Sequence, residues 1–310
     1  MFDPMSAADM TYDIESFYQG LVEHGLIIPS EVQGGYGRGT VFEDILQSFN
    51  DLVSRIAKDD GAEPMMFPPI VPRTLIEKVG YMDNFPHLSG SIHSFFGGEK
   101  EARALSACVH AGERWEDKLE ITEVMLTPAA GYPVYPIFSG VLPPGGRLIT
   151  ITGWVYRHEP SPEPTRLQAF RMREFIRVGT SEEVVAWRNN WLERGVALLE
   201  SLELPVATDV ANDPFFGRAG KIMAASQRDQ RLKFEILCPV ISAEQPTAIC
   251  SFNWHQDHFS GTFGIKTSDG EVASTACLGF GLERVTLALI KTHGFDPATW
   301  PADVRALLWP

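Results

Sequence analysis

Two neighbouring segments carry the residue types that bind phosphates and carboxylates. Tyr156-Arg157-His158-Glu159 ends one β-branched, apolar run, and Phe170-Arg171-Met172-Arg173-Glu174 begins the next. A polar, proline-containing loop over 158–167 separates them, which predicts a hairpin with a long connection. Antiparallel pairing then brings a guanidinium, two carboxylates and an aromatic ring onto one sheet surface. Arg157 has the fork of donors to hold a phosphate and a carboxylate together; the alternative is a surface ladder of ion pairs.

A second candidate segment is Cys277-Leu278-Gly279-Phe280-Gly281-Leu282-Glu283-Arg284. The pattern predicts a strand that runs into a helix. Glycines at alternate positions share one face of the strand, where the missing side chains let a planar ligand approach the backbone. Arg284, at the start of the helix, is then able to point into the same cleft.

The elements that must position these residues predict an α+β fold with a mainly antiparallel sheet flanked by helices. Apolar residues at three- and four-residue steps predict a long helix over 40–57. Further predicted helices cover 72–79, 181–202 and 281–292, and predicted strands cover 64–70, 147–156, 169–178, 232–240, 247–253, 259–265 and 271–278. No linker or composition shift divides the chain, so we expect one catalytic domain over 1–310.

Charge and composition exclude several classes of protein. The chain has 310 residues and a formal net charge of −14, so it is a poor general binder of nucleic acid or anionic membrane, and a polyanionic partner requires a local basic patch. Its four cysteines form no CxxC pair, as expected for reduced thiols. The acidic N-terminus lacks the apolar core of a signal peptide, and no stretch approaches a membrane helix, so we expect a soluble, cytoplasmic protein.

In order, three segments resemble the signature motifs of class II aminoacyl-tRNA synthetases. These are a long helix and a proline-ended strand over 40–69, the Arg-x-Glu hairpin, and Gly-Phe-Gly-Leu-Glu-Arg. Glu174, Cys277 and Asn212-Asp213-Pro214-Phe215-Phe216-Gly217 narrow the resemblance to the methanogen-type, zinc-dependent seryl-tRNA synthetases and, more closely, to their truncated relatives, the amino acid:[carrier protein] ligases. The resemblance covers about residues 12–305. It implies a catalytic domain preceded by a tail at 1–12, with no tRNA-binding domain.

The resemblance implies an enzyme that activates a small amino acid, glycine or alanine, with ATP and Mg²⁺. The aminoacyl group of the adenylate then passes to the phosphopantetheine thiol of a carrier protein. By resemblance, Arg157 binds the α-phosphate and the amino-acid carboxylate, and Glu159 contacts the adenine end. Phe170 and Arg284 enclose adenine, and Arg284 also reaches the γ-phosphate. Further candidates are Arg166 for the phosphates, and Glu235 and Ser251 as neighbours of the metal or amino acid, or alternatively as ordinary strand residues.

The same resemblance implies a Zn²⁺ ion, held by Cys, Glu and Cys, that binds the amino group of the substrate. Glu174 and Cys277 match two ligands, but the expected first cysteine is Gly131, which has no side chain to coordinate a metal. Three explanations stand open. Cys250 or His110 substitutes for the missing ligand, the protein dispenses with zinc, or Gly131 is an inactivating change, natural or engineered.

A predicted carrier-docking helix lies in an insertion at 205–232. Its cations recur at helical spacings, which places them on one side of the helix: Arg218, Lys221, Arg228 and Arg231. Electrostatic complementarity suits them to an acidic carrier protein, whereas a solvated helix face is the alternative. The resemblance also implies a homodimer through the first motif.

Two other functions remain open at this point. One is a seryl-tRNA synthetase-like enzyme that charges tRNA, and the other is a non-catalytic synthetase paralogue that binds a nucleotide or a carrier. The sequence leaves undetermined which amino acid is used and which carrier protein receives it.

Overall fold

The computed structural model describes the backbone of residues 7–310 and the side chains from residue 14 onward. Its helices are α1 (Ala7–Glu23), α2 (Thr40–Ile56), α3 (Arg73–Lys78), α4 (Tyr81–Asn84), α5 (Glu99–Ala111), α6 (Ser181–Ser201), α7 (Gly217–Asp229), α8 (His258–Phe263), α9 (Leu282–His293) and α10 (Ala302–Leu308). Its strands are β1 (Ile27–Ile28), β2 (Gly37–Arg38), β3 (Glu63–Met65), β4 (Ile70–Pro72), β5 (Ser91–Ser94), β6 (Glu120–Leu126), β7 (Gly140–Val141), β8 (Arg147–Tyr156), β9 (Ala169–Gly179), β10 (Ala207–Val210), β11 (Lys233–Cys238), β12 (Thr247–Gln256), β13 (Ile265–Lys266) and β14 (Ser274–Gly281).

A seven-stranded sheet forms the centre of the molecule, in the order β10-β11-β12-β14-β9-β8-β3. All neighbours pair antiparallel except β3, which lies parallel to β8 at the edge. Strands β4, β6 and β5 form a separate small sheet. The predicted α+β class with a mainly antiparallel sheet is therefore confirmed.

The predicted hairpin is formed by β8 and β9, with Tyr156 opposite Ala169 and Arg147 opposite Val178. Its sheet separates two hydrophobic clusters. The first lies under helices α2, α6 and α9, and includes Phe49, whose ring meets Phe280 of β14 edge-on at 5.6 Å. The second covers the opposite face. We call these the helix face and the site face of the sheet.

A buried ion cluster joins the three motifs on the helix face. Glu283 of α9 is fully buried and accepts from Arg171 Nε of β9 at 2.9 Å, while Arg38 Nε lies 3.4 Å away. Arg171 also forms a two-pronged pair with Glu43 of α2, at 2.6 and 2.7 Å. Both guanidiniums lie against the ring of Trp154. The cluster fixes the third motif against the hairpin and the long helix.

Three predicted elements differ from the structure. The strand predicted over 259–265 is mostly helix α8, because Phe259 and Phe263, four residues apart, both pack into the site-face cluster. The strand predicted over 64–70 is split into β3 and β4, since prolines 68 and 69 have no N–H for a sheet. Of the predicted tail 1–12, residues 1–6 lie outside the described residues and residues 7–12 belong to α1.

Candidate active site

A single row of residues crosses the site face and brings several predicted site residues together. Glu235 of β11 is paired with Ser251 of β12, Ser251 with Gly279 of β14, and Gly279 with Glu174 of β9. Because side chains alternate along each strand, all of them point to the same face. Gly279 leaves the middle of the row open: a Cβ there would lie 3.5 Å from Glu174 Cγ and 3.9 Å from Ser251 Oγ.

The adjacent row carries Lys233, Asn253 and Cys277. The Cys277 thiol lies 3.5 Å from Asn253 Nδ2 and 3.4 Å from Nε2 of His255. Burial raises the pKa of this thiol, and the Glu174 carboxylate raises it further, so the neutral form is favoured. Burial lowers the pKa of His255 to about 3, so its ring is neutral as well.

Glu174 is the acid at the centre of this face. Its exposed fraction is 4%, and its Oε1 accepts a hydrogen bond from Ala130 N at 3.0 Å. Burial raises the pKa of Glu174 to about 7, against the opposing effects of the backbone N–H groups and Arg157. Among residues 14–310, no cationic nitrogen lies within 4 Å of its carboxylate. The carboxylate is therefore buried without a charged partner.

The side chains at this point do not fit the zinc site of the resemblance. Within the part of the chain that the structure describes, no group of three His, Cys, Asp or Glu side chains is arranged to hold a metal. Gly131 lies directly above Glu174, and a Cβ added there would be 2.5 Å from Glu174 Oε2. Position 131 is therefore next to Glu174, but neither proposed substitute for the third ligand lies there. Cys250 belongs to the helix-face cluster, and His110 is exposed on α5.

Arg157 directly follows the last residue of β8. Its Nε donates to Pro128 O at 3.0 Å, and its guanidinium lies 5.6 Å from the centre of the Phe170 ring. No carboxylate oxygen is within 4 Å of it in the described residues. Phe170 is buried, with an exposed fraction of 9%, and its ring packs against the Arg157 guanidinium.

Arg284 occupies the other side of the same cleft. Its Nε donates to Thr165 O at 2.9 Å and its Nη1 to Ala248 O at 3.0 Å, which leaves its charge without a paired acid among the described residues. Burial lowers the pKa of Arg284, and the positive charge of Arg157 lowers it further. Glu159 and Arg166 lie together at the cleft entrance, with 3.7 Å between Oε1 and Nη1.

The sequence analysis did not predict a polar network beside the row that runs from Glu235 to Glu174. Lys233 Nζ contacts Asp213 Oδ1 at 2.7 Å and Glu235 Oε1 at 3.0 Å. Gln227 of α7 donates to Asp213 Oδ2 at 2.8 Å and accepts from Asp213 N at 2.7 Å. Lys233 was detectable because it precedes Glu235 by two residues and so shares its strand face. The network ties helix α7 to the strands of the cleft.

Aromatic rings close the end of the cleft near Glu174. Tyr135 stacks on Phe259 with 3.9 Å between ring centres, and Tyr132 meets Phe259 edge-on at 5.9 Å. His255 packs against both Tyr135 and Phe259. Helix α8 therefore supplies part of this wall, a role hidden by the mistaken prediction of a strand.

Helix α7 lies within the predicted insertion and carries Arg218, Lys221 and Arg228. Arg228 approaches Asp209 at 3.8 Å, whereas Arg218 and Lys221 are exposed. The prediction of four cations on one helix is wrong for Arg231, which follows the end of the helix with φ of 52° and packs on Phe234. Ile222 is 70% exposed and Met223 41%, so the helix presents apolar as well as basic side chains.

The fold is that of a class II aminoacyl-tRNA synthetase catalytic domain. A structure of the M. kandleri seryl-tRNA synthetase with A. aeolicus tRNASec superposes with a TM-score of 0.81 at 23% identity, over 94% of this chain and 60% of that one. Prolyl-tRNA synthetase from Cryptosporidium parvum superposes with a TM-score of 0.65 at 16% identity, over 90% and 52%. This chain thus spans a little over half the length of these synthetases.

Closer relatives identify the family. Amino acid–[acyl-carrier-protein] ligases 1 and 2 of Bradyrhizobium diazoefficiens are 42% and 43% identical over 277 residues, which cover 89% of this chain and 85% and 83% of theirs. The type-2 serine–tRNA ligase of Methanopyrus kandleri is 26% identical over 84% of this chain and 53% of its own length. The chain belongs to the amino acid–[acyl-carrier-protein] ligase family, and the predicted resemblance is confirmed.

No protein-family model matches the chain. Among the described residues, helices long and apolar enough to cross a membrane are absent.

Proposed function

We propose that this enzyme activates a small amino acid, glycine or alanine, with ATP and transfers it to the phosphopantetheine thiol of an acyl or peptidyl carrier protein. One observation carries the proposal. The cleft holds two guanidiniums, Arg157 and Arg284, without an ion-paired acid, and a carboxylate, Glu174, without an ion-paired base, among residues 14–310. Unpaired charges of both signs suit a ligand with phosphates at one end and an ammonium group at the other.

In the first step, a carboxylate oxygen of the amino acid attacks the α-phosphorus, and pyrophosphate leaves. Arg157 would hold that carboxylate and the α-phosphate together, since its fork offers several donors and Phe170 supports it from below. Arg284 would contact the γ-phosphate from the opposite side. Glu159 would meet the adenine end of ATP, and Arg166 the phosphates. Positioning and charge stabilisation account for most of the work in such a reaction.

Mg²⁺, when bound with ATP, neutralises phosphate charge and supports departure of pyrophosphate. Glu235 and Ser251 are the residues that would hold it, because they offer oxygen donors on the site face near the open position at Gly279. Lys233 contacts Glu235 and would orient its carboxylate.

In the second step, the carrier thiol gives up its proton to water and attacks the carbonyl carbon of the adenylate; the bond from that carbon to the phosphate oxygen breaks, and AMP leaves. Helix α7 would dock the carrier through Arg218 and Lys221, with Arg228 and Arg231 nearby. Exposed cations beside Ile222 and Met223 suit an acidic protein with an apolar rim. ATP and such carriers meet in the cytoplasm, where we place the enzyme.

We further propose a homodimer through the first motif. Met66 follows edge strand β3 at 85% exposure, and Ile70 begins β4 at 37%, so an apolar edge is available to a second copy. Light scattering tests this directly: a mass of two chains is expected, and the mass of one chain contradicts it.

The experiment for the main proposal is amino-acid-dependent exchange of pyrophosphate into ATP over a panel of small amino acids. Charging of a purified holo-carrier follows, with the apo-carrier as control. Exchange with glycine or alanine and charging of the holo-carrier alone are expected. Charging of tRNA in place of the carrier would favour a seryl-tRNA synthetase-like enzyme, and the absence of any exchange would favour a non-catalytic paralogue.

A further inference from the structure

Of the three metal ligands that the resemblance implies, this chain has an acid, Glu174, and one thiol, Cys277, and it has glycine at position 131 in place of the third. A Cβ at position 131 would lie 2.5 Å from Glu174 Oε2 and 2.7 Å from Ile176 Cδ1. The ends of these two side chains would have to shift before a cysteine could stand there, so in this arrangement the Glu174 carboxylate uses the space that glycine leaves. Glycine and carboxylate fit each other as a pair.

We infer that Glu174 binds the α-ammonium group of the amino acid directly, in a site that works without zinc. This inference rests on the proposed function. The carboxylate is 4% exposed, and its partner at Oε1 is a neutral backbone N–H, that of Ala130. Burying a carboxylate without a cation is costly, so its retention here points to a cationic group brought by the ligand.

The surroundings of Glu174 favour the α-ammonium group of an amino acid with a small side chain. Below the carboxylate, Gly279 leaves the strand bare, and a Cβ there would lie 3.5 Å from both Glu174 Cγ and Met172 Cε. The stacked rings of Tyr135 and Phe259 limit the space beyond.

Cys277 has neutral partners in place of a metal. Its sulfur lies within 3.5 Å of Asn253 Nδ2 and 3.4 Å of His255 Nε2. These contacts place the thiol in a hydrogen-bonded wall of the pocket. Cys277 therefore acts in shaping the pocket, and Glu174 alone supplies the charge.

A matched pair of adenylate analogues tests this inference: 5′-O-(glycylsulfamoyl)adenosine and its acetyl counterpart, which lacks the amino group. We expect the glycyl compound to bind about 10- to 100-fold more tightly in buffer with a chelator, the range of a charged hydrogen bond. Glu174→Gln should reduce the ratio to within about threefold and leave the affinity for the acetyl compound nearly unchanged. The control is Glu193→Gln, which replaces an exposed carboxylate on α6. This variant should keep the same glycyl-to-acetyl affinity ratio as the natural protein.

Metal analysis of protein produced with added zinc completes the test. We expect far less than one zinc per chain in the natural protein and a glycyl-to-acetyl ratio that the chelator does not change. Gly131→Ala should lower the ratio, because its Cβ displaces the Glu174 carboxylate without offering a ligand. Gly131→Cys displaces the Glu174 carboxylate in the same way but also adds a thiol. Zinc uptake by Gly131→Cys, and not by the natural protein or by Gly131→Ala, supports the inference.

Two outcomes overturn it. One is stoichiometric zinc in the natural protein that His255→Ala or Cys277→Ala removes; the other is equal binding of the two analogues. Failure of the proposed function looks different, since then neither analogue binds. Because the acetyl compound reports the nucleotide end of the cleft alone, the two failures are separated within one experiment.

Discussion

The two faces of the central sheet use the same residue types for opposite purposes. On the helix face, Arg171 and Arg38 are matched by Glu43 and Glu283, and each charge has an opposite charge within 4 Å. On the site face, Arg157, Arg284 and Glu174 have none within that distance among the described residues. Arg171 and Glu174 are only three residues apart on β9.

The difference shows how to tell structural charge from functional charge in this fold. A buried ion pair that is complete within the protein positions elements, and removal of one member leaves its partner uncompensated. An incomplete set of charges costs folding free energy and is compensated only when a ligand arrives. Variants of the ion-paired cluster on the helix face should therefore mainly reduce stability, and variants of the three unpaired charges on the site face should mainly reduce activity.

The largest effect on stability is expected from Glu283→Gln on the helix face. The variant leaves Arg171 and Arg38 without the fully buried acid between them, so the free energy of unfolding should fall by about 3–5 kcal/mol. Urea denaturation measures it, and Glu193→Gln on exposed α6 is the control. A loss below about 1 kcal/mol would show that the cluster does not hold the motifs together.

The largest effect on activity is expected from Arg157→Ala on the site face. Pyrophosphate exchange should fall by about 10²- to 10³-fold, because a preorganised donor to the developing charge is lost. Stability should stay within about 1 kcal/mol of the natural protein, since no acid is left unpaired. Arg171→Ala is the matched comparison and should lose stability. If both variants behave alike, the contrast between the faces is wrong.

A smaller, pH-dependent effect is expected from Asp213→Asn. Burial raises the pKa of Asp213, but Lys233 more than offsets this, so the pKa is lower in the folded protein than in the unfolded chain. The ionised group thus stabilises the fold above the unfolded pKa of about 3.9, and this contribution disappears as pH falls through the lower folded value.

Asp213→Asn should therefore reduce the free energy of unfolding by about 1–2 kcal/mol at pH 7, since Glu235 remains to pair with Lys233. The gap between the variant and the natural protein should close as the pH falls below about 4. Denaturation measured at pH 7, 5 and 3 checks the prediction. A gap that is constant with pH would mean that Asp213 acts through packing.

The smallest effect is expected on α7, where the cations are exposed. Arg218→Glu together with Lys221→Glu should raise the KM for the carrier about 3- to 10-fold, the usual range for charges at the rim of an interface, with a weaker dependence on salt. Pyrophosphate exchange should not change. Lys100→Glu on exposed α5 is the matched control, and an equal effect from it would remove α7 as the docking surface.

Local patterns predicted much of the fold. The β8–β9 hairpin and α2 match the predicted bounds to within a residue or so, because their periodicity is long and unbroken. The segment over 259–265 was wrong for the opposite reason. Its few apolar residues are compatible with either a strand or a helix. The helix is formed because it allows Phe259 to stack on Tyr135, a contact between residues distant in sequence.

The candidate site was also predicted only in part. Arg157, Glu174, Cys277 and Arg284 were predicted as site residues from residue type, order and the family resemblance, and they stay predictions. Lys233 pairing with Asp213, and Glu283 with Arg38, were missed because these partners are distant in sequence and meet only in the folded chain.

By itself, the sequence determined the class of fold, the family resemblance and the absence of a side chain at position 131, since these depend on residue type and local periodicity. Only the tertiary structure decided which charges are compensated, because compensation is a matter of distances across strands. It paired Arg171 with two acids and, among residues 14–310, left Glu174 on the other face of the same strand without a cation within 4 Å. That asymmetry separates a face whose ion pairs hold elements together from the face on which we propose that the substrate binds.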